Sequence, residues 1–288
     1  MRYHKGEEKA NMDVTNLSPN LRVGPSGWDY PDWRGVVYPR AAPRSAHPLE
    51  YLACHFDVAE IESTFRQALR PEIARLYLAK VAHNPSFLFT AVLGRRFTHE
   101  RSLDEAEVAA FKEGLWPLLR ANRLGCLVLQ FPWAFRFTAE NREFLIQVRR
   151  AFHQFPMAVE MRHSSWMADE ALGTLIDYRL GFVNLDQPPR ASAMQPSALA
   201  TTGIGYFRLH GRDAGYWRRE FSGCGGADDY LYAPAELDLW AERIRHVRAH
   251  TRSTFVVLAN PASGKSAVNA LQLSRLLSED HRPQRAVA

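Results

Sequence analysis

The chain predicts a single (β/α)8 barrel, and three observations carry that prediction. Eight short apolar segments with strand character alternate with segments of helical spacing, the pattern of parallel βα units. No linker divides the 288 residues, a length that suits a barrel of roughly 250 residues plus extensions. Polar and charged residues recur near the ends of the strand segments, where barrels build their active sites.

The elements follow in order. Residues 1–20 are polar and mixed in charge and read as a disordered leader, residues 21–278 as the barrel, and residues 279–288 as a polar tail. Arg22 to Trp28 opens the barrel and leads through Gly27 into an aromatic loop with Tyr30, Trp33 and Tyr38. A short helix, Pro48 to Phe56, precedes the second strand, Val58 to Thr64. Ile73, Leu76, Tyr77 and Val81 are spaced for one face of a helix over Pro71 to His83. Phe87 to Leu93 is the third strand, followed by a basic loop, Gly94 to Arg101, and a helix over Asp104 to Asn122. Leu124 to Phe131 is the fourth, stopped by Pro132, and Thr138 suits the N-cap of a helix over Ala139 to His153. The fifth strand begins at Met157, with a helix over Ala168 to Tyr178 after it. The sixth is Gly181 to Asp186, and a Pro-, Ala- and Ser-rich loop leads to the seventh, Ile204 to Gly211. A long loop to Tyr232, a helix over Ala235 to His250, the eighth strand Thr254 to Asn260 and a last helix from Gly264 complete the series. One or two of the units have room to be irregular.

Composition narrows the function classes. No apolar run approaches the roughly 20 residues that span a bilayer, and the N-terminus has no secretory h-region. Three dispersed cysteines, Cys54, Cys126 and Cys224, suggest neither a disulfide framework nor a zinc cluster, and fit a reducing cytoplasm. A net charge of +5 and a pI near 9.2 suit an anionic substrate. No basic–aromatic module is visible, so nucleic acid is not the expected partner.

Read with a period of two, the strands show one apolar and one polar face. The polar face is expected to carry Ser26, Glu60, Glu62, Thr90, Gln130, Glu160, Arg162, Asn184, Asp186, Arg208, His210 and Asn260. Burying charge is costly unless it is paired or used, so this set marks either a pocket or an internal salt-bridge lattice of Glu160 with Arg162 and Asp186 with Arg208. In the pocket reading, Glu62 and Glu160 are acid/base candidates with His210 as partner. Arg162 and Arg208 clamp a carboxylate or phosphate, while Asp186 and Asn260 orient hydroxyls. The expected substrate is small and polar or anionic, such as a sugar phosphate or nucleotide fragment. Replacing Glu160 by Gln and Arg208 by Ala is then expected to leave folding intact and abolish binding. No cofactor is firmly implied. Glu62, Glu160, Asp186 and His210 could hold a divalent cation, as in metal-dependent phosphodiesterase or isomerase barrels, but two arginines at the same mouth would repel it. A non-catalytic ligand-binding barrel is a further alternative.

Three loops add candidates. ANPASGKS, Ala259 to Ser266, loosely follows a phosphate-binding loop, and amides near Gly264 with Lys265 and Ser266 could hold phosphate at a helix N-terminus. The loop from Arg95 to Arg101, with His99, would lie on the same rim. The loop from Tyr216 to Tyr232, with Trp217, Gly223, Gly225, Gly226 and Tyr230, has the composition of a lid over a ring or sugar.

The succession GPSGWDYPDWRGVVYP, EIESTF, FTHER, LQFP, AVEMRHSSW, YFRLHG, DDYLY and GKSAVNALQL resembles the domain-of-unknown-function 72 family, the YecE-like proteins. The resemblance runs from about Val23 to Leu277. It implies a (β/α)8 barrel and supplies no reaction. Positions matching the recurrent motifs include Trp28, Glu62, His99, Gln130, Glu160, Arg162, His163, Asp186, Arg208, His210, Tyr230, Tyr232 and Asn260. Two departures stand out: the family's third strand usually ends in lysine, where this chain has Val92, and Ala259 replaces the first of two usual asparagines.

Overall fold

The structure, a computed structural model, describes residues 20–41, 46–213, 215 and 229–279. The expected leader up to residue 19 and the tail from residue 280 lie outside the described residues, as do Tyr216, Trp217, Gly223, Cys224, Gly225 and Gly226 of the long loop.

Eight strands form one parallel sheet: β1 (Leu21–Pro25), β2 (Val58–Ile61), β3 (Leu88–Val92), β4 (Leu124–Gln130), β5 (Met157–Glu160), β6 (Gly181–Asp186), β7 (Ile204–Leu209) and β8 (Ser253–Leu258). Their order is β1-β8-β7-β6-β5-β4-β3-β2. The two end strands curl together, and β1 meets β2 at a single parallel bridge between Ser26 and Glu60, with the Gly27 amide donating to the Glu60 carbonyl at 2.9 Å. The result is a nearly closed (β/α)8 barrel with an unsealed seam.

Glycine makes that seam possible. A β-carbon on Gly24 would stand 2.0 Å from the Val58 carbonyl oxygen. Backbone cannot yield as a side-chain tip can, so Gly24→Ala should wedge β1 from β2 at a cost of about 1–3 kcal/mol. Urea unfolding measures this, and an unchanged midpoint would contradict the close approach.

Helices cover the cylinder: α1 (Pro48–Leu52), α2 (Pro71–Lys80), α3 (Arg95–Thr98), α4 (Glu105–Arg120), α5 (Ala139–Ala151), α6 (Asp169–Asp177), α7 (Pro234–Arg248) and α8 (Lys265–Glu279). Thr138 caps α5 as expected, accepting from the Asn141 amide at 3.2 Å, and Asp104 caps α4 through the Glu107 amide at 3.0 Å. The connection from β6 to β7 has no helix and is the irregular unit. It folds back on its neighbours instead: the Met194 amide donates to the Arg162 carbonyl, and the Asn184 side chain binds the backbone of Leu199.

Between strands and helices lies a continuous apolar layer, in which Phe207 of β7 meets Trp240 of α7 and Phe89 of β3 meets Tyr77 of α2. The loop after β1 joins this layer. Trp33 is fully buried and donates its indole N–H to the Pro261 carbonyl at 2.7 Å, tying the start of the barrel to its end.

Candidate active site at the barrel mouth

Residues paired in parallel register share a face of the sheet, so the pairs decide which side chains point inward. Glu60 pairs with Thr90, Gln130 with Glu160, and Arg208 with Val257. Just beyond the strand ends, Arg162, two residues past Glu160, and His210, two past Arg208, keep the parity of those inward residues. Six strands therefore deliver polar groups to one mouth: Ser26, Glu60, Thr90, Gln130, Glu160 with Arg162, and Tyr206 with Arg208 and His210.

At the centre Glu160 and Arg208 are buried and joined. Arg208 Nη1 donates to Glu160 Oε2 at 2.8 Å and to Gln130 Oε1. Its Nε and Nη2 lie 3.2 and 3.0 Å from Glu60 Oε1. Glu160 Oε1 accepts from Arg162 Nε at 3.0 Å and Nη2 at 2.9 Å, and from His210 Nε2 at 3.1 Å. A carboxylate oxygen only accepts, so this geometry places the hydrogen on Nε2 of His210. Glu60 also receives Ser26 Oγ at 2.7 Å and the Tyr206 hydroxyl at 2.8 Å, and Thr90 Oγ1 lies 2.9 Å from that hydroxyl.

The electrostatics follow from these contacts. Burial by itself would raise Glu160, but Arg208, His210 and Arg162 hold it well below the usual carboxylate range. Burial likewise opposes the charge on Arg208, and Glu60 with Glu160 more than restore it. Burial, reinforced by Glu60, pushes the Tyr206 hydroxyl well up. Glu160 is thus a fixed anion that accepts from His210 and both arginines.

Some expected members lie elsewhere, for identifiable reasons. β6 reads one residue out of phase: Val183 pairs with Tyr206 and Leu185 with Arg208, so the inward residues are Val183 and Leu185. Asn184 and Asp186 share the face of Phe207 and Leu209. The expected Asp186–Arg208 bridge is accordingly absent. Asp186 instead receives Arg212 Nε at 3.1 and 3.0 Å, and Arg212 reaches Glu236 at 2.9 Å. Burial raises Asp186, with Arg212 and Tyr232 only partly offsetting it. The same slip applies in β8: Asn260 binds the Tyr230 carbonyl at 2.7 Å and Asn269 of α8 at 3.1 Å.

Glu62 leaves β2 because the strand ends at Ile61 and a 3-10 turn begins; its carboxylate pairs with Arg66 at 3.1 Å on the rim. Trp28 is core, with its ring against Tyr77 and Phe89. His163 caps a 3-10 turn, its Nδ1 accepting from the Ser165 amide at 3.1 Å. Tyr232 is buried beneath the Gly211 amide, which donates to its hydroxyl at 2.8 Å, and the Tyr230 hydroxyl donates to Glu236 at 2.7 Å. Lys265 pairs with Asp229, and the Ser263 amide at the same turn is taken by Asp32 at 2.6 Å, so the chain's own carboxylates fill the expected phosphate loop. The basic loop is paired as well, with Arg96 to Glu100 and Glu107.

His99 does face the cluster. Its ring stands against Phe65 at 5.1 Å, and burial, then Arg162 and Arg95, push it down to about 4. Burial also lowers His47, His55 and His163. Each folded value lies below the unfolded one, so the unfolded chain binds more protons as the pH falls. Stability should therefore be complete above about 6.5 and decline toward pH 4. Denaturant midpoints measured across that range should slope less in His99→Gln; an equal slope would remove His99 from the account.

Among the described residues no three His, Cys, Asp or Glu side chains are placed to share a metal ion. The four-residue cation set is broken because Glu62 and Asp186 are drawn away from Glu160 and His210. Sequence reading assigned no role to Tyr206, Arg212 or Glu236. Tyr206 was within reach, since it has the same parity as Arg208 and His210.

The family model described as "Protein of unknown function DUF72" matches residues 22–287. The chain belongs to the DUF72 family. Among its relatives is the UPF0759 protein YunF of Bacillus subtilis, 26% identical over 277 residues that cover 91% of this chain and 96% of YunF. A DUF72 crystal structure from Thermotoga maritima superposes with a TM-score of 0.76 at 28% identity, covering 89% of this chain and 98% of that one. One from Enterococcus faecalis gives 0.73 at 22% identity, over 89% and 97%, and shows the shared fold. Val92 pairs with the inward Val128, and Ala259 follows the inward Val257 by two, so both apolar side chains lie on the inner wall. No helix among the described residues is long and apolar enough to cross a membrane.

Proposed function

We propose that this DUF72 barrel is an enzyme acting on a small anionic substrate of the sugar-phosphate or nucleotide-fragment kind, held at the C-terminal mouth. One observation supports it above the others: a buried carboxylate, Glu160, orients His210 and two arginines toward a common point. A carboxylate that fixes an imidazole's orientation prepares it to move a proton. In this reading His210 is the acid/base group and Glu160 its partner. Arg162 and Arg208 bind the anionic group, Gln130 holds Arg208, and Glu62 is a rim carboxylate beside the entrance. Asp186, Tyr230, Tyr232 and Asn260 support the wall.

Native mass spectrometry of the purified protein, followed by a thermal-shift panel of sugar phosphates and nucleotides, identifies the ligand. His210→Asn should retain binding and lose at least 100-fold in turnover, the scale of one acid/base group. A wild type that binds nothing in the panel would sink the reading. The inward Val92 and Ala259 favour a second reading, a ligand-binding barrel without turnover. Val92→Lys separates the two, because a gain of turnover in that variant alone marks decay from an enzyme.

A further inference from the structure

His210 stands where the sheet has already let go of its chain. The last ladder pair of β7 is Leu209 with Leu258, and Gly211 follows with φ at +92°. That conformation is strained for any residue with a β-carbon, and a β-carbon here would stand 2.6 Å from Tyr230 Cβ. The freedom that suits glycine to the turn also makes it a loose joint. On one side of the joint His210 turns inward to Glu160, and on the other Arg212 turns to Asp186 on the helix-facing side.

Three grips close on this joint. The Asp186 carbonyl accepts the His210 amide at 3.1 Å, and the Tyr232 hydroxyl accepts the Gly211 amide at 2.8 Å. The Asp186 carboxylate accepts Arg212 Nε at 3.1 and 3.0 Å. Asp186 therefore holds the chain on both sides of the glycine. The Tyr232 hydroxyl donates to the same carboxylate, and Glu236 of α7 takes Arg212 Nη1 at 2.9 Å. Asp186 and Tyr232 are both buried, so the grips rest on groups that the core holds still. Such support matters for an acid/base group, because a displacement of about 1 Å can cost on the order of 100-fold in rate.

We propose that Arg212, clamped between Asp186 and Glu236, is a positioning residue that aims the His210 imidazole at Glu160. This rests on the proposed function, in which His210 moves the proton, and names what holds that imidazole in place.

The test reads the imidazole itself and needs no substrate. In protein carrying isotope-labelled histidine and tryptophan, the His210 Nε2–H signal is assigned by its loss in His210→Asn. Its exchange with water is then timed at neutral pH. Arg212→Met should speed that exchange about tenfold. The buried Trp33 indole N–H, bonded to the Pro261 carbonyl, is the control. A merely structural role would loosen the whole barrel and speed both signals alike; positioning speeds His210 alone. Arg212→Lys keeps a cation beside Asp186 and so keeps the fold, but one ammonium cannot span Asp186 and Glu236, and its exchange should fall between the two. If Arg212→Met does not fold, Arg212→Lys decides alone. Wild-type exchange at His210 in the variants that fold, or equal acceleration at Trp33, overturns the assignment. If His210→Asn still loses turnover in that case, the enzyme reading stands and only the positioning falls. If His210 alone responds and the panel of sugar phosphates and nucleotides binds nothing, the positioning stands and the enzyme reading falls.

Discussion

Arg208→Met is expected to lower the unfolding free energy by about 3–5 kcal/mol, because it strips a shared cation from two fully buried carboxylates. Methionine fills much of the same volume, so the loss reports charge more than packing. Glu60 keeps Ser26 and Tyr206, and Glu160 keeps Arg162 and His210, which places the expectation at the lower end of that range. For a chain of this size the melting temperature should fall by about 5 °C. Adding Glu60→Gln removes one of the stranded charges. The double variant should therefore be more stable than the two single losses sum to, by about 1–3 kcal/mol. Additive losses would show that Arg208 and Glu60 do not act as a pair.

Glu160→Gln is expected to be comparably damaging. The amide keeps the shape but has one accepting oxygen, and its NH2 group must face a guanidinium or the His210 N–H. Arg208 retains Glu60, whereas Arg162 and His210 lose the carboxylate oxygen they share. The cost should be about 3 kcal/mol, read from denaturant unfolding at neutral pH. It should shrink in acid: Glu160 is depressed in the fold, so its contribution is present above the unfolded carboxylate range and fades as the pH falls through its folded value. Equal stability of variant and wild type at pH 7 would leave the network without energetic weight. On sequence alone, the substitutions at Glu160 and Arg208 are expected to spare folding. The network reverses that expectation, since one carboxylate serves two guanidiniums and an imidazole.

The barrel was legible because eight apolar segments alternate with helical ones, and only the helix-free link from β6 to β7 breaks the rhythm. The inward set was legible in β2, β4, β5 and β7. There, Glu60, Gln130, Glu160 and Arg208 stand out against apolar neighbours of opposite parity. It was not legible in β6 and β8, where polarity does not mark the inner face. Asn184 and Asp186 are polar because the returning loop and Arg212 bind them from the other side, and Asn260 because α8 carries Asn269. Glu62 failed for another reason: nothing in EIESTF signals that the strand stops at Ile61. Partners far along the chain, such as Tyr206 for Glu60, leave no local trace beyond parity.

The cylinder resembles a cask with one loose stave. Little backbone fastens β2 to β1, yet Glu60 on that stave is gripped from across the cask by Arg208 and Tyr206. That grip draws the wall shut, and under the proposed function it also readies Arg208 for a guest. A guest that pulls Arg208 toward itself slackens the hoop, and its arrival should be audible on the far side as faster deuterium uptake at the Gly27 amide.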